Sequence, residues 1–150
     1  MNRFTKLAAA AALMATVGCA TQVTVTPTHR ENMASQSKVL AIAALNLEDA
    51  IHHRLLDTTE EDAAHAIVNF HGQAENFAGT VATGRSDDKV SSDYEHLIEA
   101  WVKVKQTYPN LKTDSLVQEA YTRVQHEWEA LARTSGYANK RYEQKVEQGK

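Results

Sequence analysis

The chain has 150 residues, with 16 Lys or Arg against 19 Asp or Glu and a net charge of −3 when histidine is neutral. That length supports one domain with a substantial core rather than two. The acidic balance excludes the broad electrostatic grip on nucleic acid or anionic lipid that a basic face provides, and a single cysteine, Cys19, leaves no pair for an internal disulfide.

Arg3 and Lys6 open the chain, and an apolar run from Leu7 to Val17 follows. The run is far shorter than the roughly 20 residues a bilayer span needs. Small residues then lead into the cysteine, in the order Thr16-Val17-Gly18-Cys19. This arrangement resembles a bacterial lipoprotein signal peptide, with Thr16 where that family usually carries leucine. The resemblance implies cleavage after residue 18 and diacylation of the Cys19 thiol, a covalent lipid being the one attached group. Ala20, rather than aspartate, follows the cysteine, which by the same resemblance implies sorting to the outer membrane on its periplasmic side. Gly18 and Ala20 also satisfy the small-x-small rule for ordinary secretory cleavage, which would release a periplasmic or secreted protein without Cys19. Once Arg3 and Lys6 are set aside, the remaining chain is more acidic still.

Residues 19–31 are rich in threonine and include Pro27, and they read as a tether able to hold a domain up to roughly 40 Å from a bilayer. Helical periodicity begins at Asn32, where Met33, Leu40, Ala43, Ala44, Leu47 and Ile51 share one face of a helix predicted to run to Asp57. Thr58-Thr59-Glu60-Glu61 predicts a cap with acids in the first turn of a second helix. Its apolar stripe is Ala63, Ala64, Ile67, His71, Ala74, Ala78 and Val81, flanked by Phe70 and Phe77, up to Gly84. Ser86-Asp87-Asp88 caps a third helix with Val90, Tyr94, Leu97, Trp101, Val104 and Tyr108 in line, stopped by Pro109. Thr113-Asp114-Ser115 opens a fourth, striped by Val117, Ala120, Tyr121, Val124, Trp128 and Leu131 and closed by Gly136. Four helices of about 22 residues joined by short turns predict an all-α, up-down-up-down four-helix bundle over 32–136. Residues 137–150 remain as a charged extension or a short fifth helix.

Seven histidines raise the possibility of a metal site. His71, His96 and His126 fall at one height when the helices are folded at their turns, but the helical wheel turns His126 away from its apolar stripe. Met33 on the first helix and His126 on the last occupy places broadly similar to the haem ligands of b-type four-helix cytochromes, which makes a haem- or metal-binding bundle the competing function. His71, on a core face, calls for a hydroxyl partner such as Tyr94 or Tyr121; as a pH sensor it would loosen the core on protonation. Neither a Gly-rich phosphate loop nor His-Glu-x-x-His nor a serine nucleophile elbow occurs. The acidic pairs Glu48-Asp49, Glu60-Glu61 and Asp87-Asp88 read as helix starts or solvated faces. The expectation is a non-enzymatic binding or adaptor module for another component of the cell envelope, with Tyr137, Arg141 and Tyr142 as candidate contact residues and no nucleic-acid partner.

Overall fold

The computed structural model describes residues 27–52, 57–58, 60–112 and 114–135. Regular structure among them is helical throughout: α1 (Pro27–His52), α2 (Glu61–Ala82), α3 (Asp87–Thr107) and α4 (Ser115–Ser135), with a 3-10 turn at Tyr108–Asn110. Bonds at the two ends fix the direction of each helix. At one end Arg30, near the start of α1, donates to the Arg85 carbonyl at 2.8 Å and pairs with Asp87 at the start of α3. There too His29 Nε2 lies 3.3 Å from the carbonyl oxygen of Ser135, the last residue of α4. At the other end Lys112, ahead of α4, pairs with Asp57, beyond α1. Successive helices therefore alternate in direction, and the chain is the four-helix bundle that the periodicity predicts.

The apolar stripes form the interior. Leu40, Leu47, Ile67, Phe70, Phe77, Val90, Leu97, Val104, Val117, Val124 and Leu131 are all buried in one continuous core. Burying a side chain of this kind contributes about 1.5–3 kcal/mol. The backbones of α1 and α2, of α1 and α4, and of α2 and α3 approach closely, whereas α3 and α4 meet through rings. Trp101 of α3 lies 5.8 Å, centroid to centroid, from both Tyr121 and Trp128 of α4. Tyr94 is stacked on Trp128 with 8° between planes.

Three boundaries differ from the sequence expectation. Pro27–His52 is helical and Asp57 is not, so residues 27–31 belong to the first helix and not to a tether, and the helix does not include Asp57; residues 53–56 lie outside the described ones. His29 and Arg30 make the end contacts described above. At the start of α2 the capping position is taken by Glu60, which has helical dihedrals and makes no cap bond of its own; Thr58 lies in the turn before it and Thr59 outside the described residues. The other two caps are as expected. Ser86 accepts from the Lys89 N–H at 3.4 Å, and Asp114 Oδ1 accepts from the Val117 N–H at 3.0 Å. Between α2 and α3, Gly84 takes a φ of 67°, a left-handed turn that glycine enters without steric penalty.

Glu60 is 2% exposed, which corrects its reading as a solvated acid. Its carboxylate accepts from the Lys112 N–H at 2.8 Å and from the Asp57 N–H at 3.3 Å, joining the α1–α2 connection to the segment that enters α4. Glu60→Ala orphans two backbone donors at once. We expect it to destabilise the protein by about 1–3 kcal/mol in urea titration, with Glu60→Gln, which keeps one acceptor oxygen, losing less.

Candidate functional site

His71 lies at the seam of α1 and α2, and its partners are carboxylates rather than the hydroxyl expected. Its Nδ1 is 2.7 Å from Glu48 Oε2 and its Nε2 is 3.4 Å from Glu75 Oε1. Tyr94 Oη is paired instead with Ser135 Oγ at 3.1 Å. Half-buried Glu48 was also expected to be solvated; it faces α2, one turn on from core-facing Ala44 and about 40° around α1 from it. The Glu48 contact is a hydrogen bond and Glu75 stands at ion-pair distance, so the ring sits at a polar seam rather than inside the apolar core where a pH sensor was expected.

The other histidines do not join it. His96 lies on the outer side of α3, in an open groove of about 300 Å³ shared with Asn69 and Gln73 of α2 and with Glu99 and Lys103. His126 is on the outer face of α4, its side chain 72% exposed, beside Glu127. The three histidines thus occupy three different faces of the bundle. Met33 is fully buried near the start of α1, and Gln36 of α1 already reaches Glu127 of α4, so His126 sits about a turn nearer the other end and points outward. Among the described residues no group of three or more His, Cys, Asp or Glu side chains is placed to share a metal ion.

Two buried carboxylates escaped the sequence reading. Asp93, 1% exposed, faces α2, where the Thr80 hydroxyl donates to it at 2.6 Å; Lys89, one turn earlier on α3, donates at 2.6 Å. Burial by itself would raise the Asp93 pKa. The hydrogen bonds from Lys89 and Thr80 and the charges of Lys89 and His96 together outweigh it, and the carboxyl is held below its ordinary value. Glu127 follows the same pattern: burial raises it, bonds from Gln36 and His126 and the charges of His126 and Arg123 lower it, and the net shift is downward. The Lys89–Asp93 spacing of four was the available signal, since it puts the pair on one helix face. Toward the far end of α3, Tyr108 and Tyr121 stack with centroids 3.5 Å apart, and burial pushes both phenols upward.

Charged and polar side chains cover most of the outside. Among the described residues the large apolar exceptions are Ile42 at 55% and Leu45 at 39% on α1, Val68 at 44% on α2, and Leu116 in the first turn of α4. Cys19 and the contact candidates Tyr137, Arg141 and Tyr142 lie outside the described residues. No helix among the described residues is long and apolar enough to cross a membrane. Compared with family models, with curated proteins and with solved structures, the chain matches none.

Proposed function

We propose that this chain is a lipid-anchored protein of the bacterial cell envelope whose bundle binds another envelope component without catalysing a reaction. The observation that carries the reading is the order basic start, short apolar run, Thr16-Val17-Gly18-Cys19. Acylation of Cys19 would hold the bundle near the outer membrane, and confinement to a surface raises effective concentration toward a partner on the same surface by orders of magnitude without any new contact. Polar groups inside the bundle support a binding role over a chemical one. His71, Asp93 and Glu127 are each engaged by neighbours that tie two helices together, Glu48, Thr80 and Gln36 respectively. Tyr137, Arg141 and Tyr142 are the proposed partner contacts, being of the residue types enriched at interfaces.

Mass spectrometry of the mature N-terminus tests the anchor. We expect a diacylated or triacylated Cys19 at the first position and, in Cys19→Ala, a protein released from the membrane fraction; an unmodified N-terminus after residue 20 would overturn it. Cross-linking in the native envelope, compared between the whole chain and one lacking residues 137–150, tests the partner surface. An unchanged set of cross-linked proteins would count against those contacts.

A further inference from the structure

Lys38, Ile42, Leu45 and Asp49 follow one another along α1 at spacings of four, three and four. At 100° per residue they fall within an arc of about 60°, opposite the core-facing row of Met33, Leu40, Leu47 and Ile51. All four are exposed, and among the described residues neither Lys38 nor Asp49 forms an ion pair. Ile42 and Leu45 are two of the few large apolar side chains exposed among the described residues.

The order of charges along this stripe is self-complementary. Its midpoint lies between Ile42 and Leu45; rotating a second copy by 180° about that point sets Ile42 against Leu45 and Lys38 against Asp49, twice over. A two-fold interface requires this property, because each residue must fit the one that faces it in the partner. A parallel arrangement would instead place Lys38 beside Lys38 and Asp49 beside Asp49, which like-charge repulsion disfavours. We propose that the outer face of α1 is an antiparallel docking seam for a second copy of this chain, with Ile42 and Leu45 at its centre and a Lys38–Asp49 pair at each end. One helical seam is smaller than the roughly 1,600 Å² of a standard stable interface, so the pairing is a reversible equilibrium that rises with concentration.

Zero-length coupling of amines to carboxylates by a carbodiimide reads this seam directly. Lys38 and Asp49 are separated along one rigid helix by about 16 Å, so an amide joining them can form only between copies. A mixture of isotopically light and heavy full-length chains is treated over a range of concentrations, and the dimer band is digested for mass spectrometry. We expect a mixed light–heavy Lys38–Asp49 amide whose yield rises with protein concentration. It should be lost in Lys38→Asp, which faces Asp49 with another acid, and recovered in the double exchange Lys38→Asp with Asp49→Lys. Ile42→Arg should reduce the yield at least tenfold while leaving the circular dichroism melt unchanged. The absence of a dimer band, or a dimer band joined only through other residues, would overturn the seam.

Discussion

Replacing Trp128 by alanine should destabilise the bundle by about 3–5 kcal/mol, the range for truncating a buried aromatic residue. Trp128 is almost entirely buried and touches three other rings: Phe70 of α2 at 6.4 Å, Trp101 of α3 at 5.8 Å and Tyr94 of α3 at 6.2 Å. Each such ring pair adds about 0.5–1.5 kcal/mol beyond area burial. The upper part of the range is expected here because collapse is restricted. α3 and α4 are spaced by these rings, and closing the gap would require moving a helix that Phe70, Phe77 and Thr80 hold against α2. Against a total stability of about 5–15 kcal/mol for an ordinary domain, this one substitution removes a large share. Equilibrium unfolding in guanidinium, followed by far-ultraviolet circular dichroism, measures it. Trp128→Phe should recover more than half of the loss, and a Trp128→Ala variant within 1 kcal/mol of the parent would mean that the ring cluster is not the spacer described.

The second large effect belongs to the Asp93–Lys89–Thr80 group, where the two ends of the ion pair are unequal. Asp93 is 1% exposed, whereas the Lys89 side chain is half in solvent. Removing the acid lets Lys89 return to water and leaves only the Thr80 hydroxyl without its acceptor, so Asp93→Ala should cost about 2–3 kcal/mol. Removing the base leaves a buried carboxylate with a single neutral donor, and Lys89→Ala should cost more, about 3–5 kcal/mol.

Acid separates the two variants further. The folded Asp93 pKa lies below its ordinary value of 3.8, so its contribution is fully present above the unfolded pKa and is lost as pH falls through the folded one. Glu127, lowered from 4.5, acts in the same direction. The parent should therefore lose stability steadily from about pH 5 downward, a slope visible in melts at pH 2, 3, 4, 5 and 7. In Lys89→Ala, burial, the largest influence on Asp93, no longer meets the lysine that opposes it. The carboxyl then favours its proton, and the acid slope should flatten. A Lys89→Ala variant that steepens the acid loss would refute the assignment.

Much of the fold could be read in the chain because its large apolar residues recur at helical spacing. Val90, Tyr94, Leu97, Trp101 and Val104 need only that period to declare a face, and Ser86 and Asp114 sit where a cap has to be. What the period does not supply is the partner across a seam. Spacing places His71 toward the interior of α2, but its carboxylate partner Glu48 is 23 positions away on another helix, and the relative rise of the two helices decides the match. Glu60 is harder still, since the N–H that it accepts from belongs to Lys112, 52 positions later in a turn without periodicity. Residues 27–31 are harder for a different reason: a proline stands as readily inside the first turn of a helix as outside it, and only the partners of His29 and Arg30, at the end of α4 and at the α2–α3 turn and the start of α3, show which. Of the candidate functional residues, the signal-like segment ending in Cys19 is readable from local composition alone. The Lys38, Ile42, Leu45, Asp49 stripe is present in the spacing too, but it is overshadowed by the stronger core stripe on the opposite side of the same helix.

Arg30 and His29 also determine how the bundle would carry a mechanical load. A pull on the residues that precede Pro27 enters the domain at the first turn of α1, where those two side chains fasten α1 to the α2–α3 turn and to the last carbonyl of α4. Tension there reaches all four helices from the outset, because α1, the α2–α3 turn and the end of α4 are fastened at one point. A load carried between the residues that precede Pro27 and those that follow Ser135 enters and leaves the bundle at this single end, so the His29 and Arg30 contacts are the first that it meets.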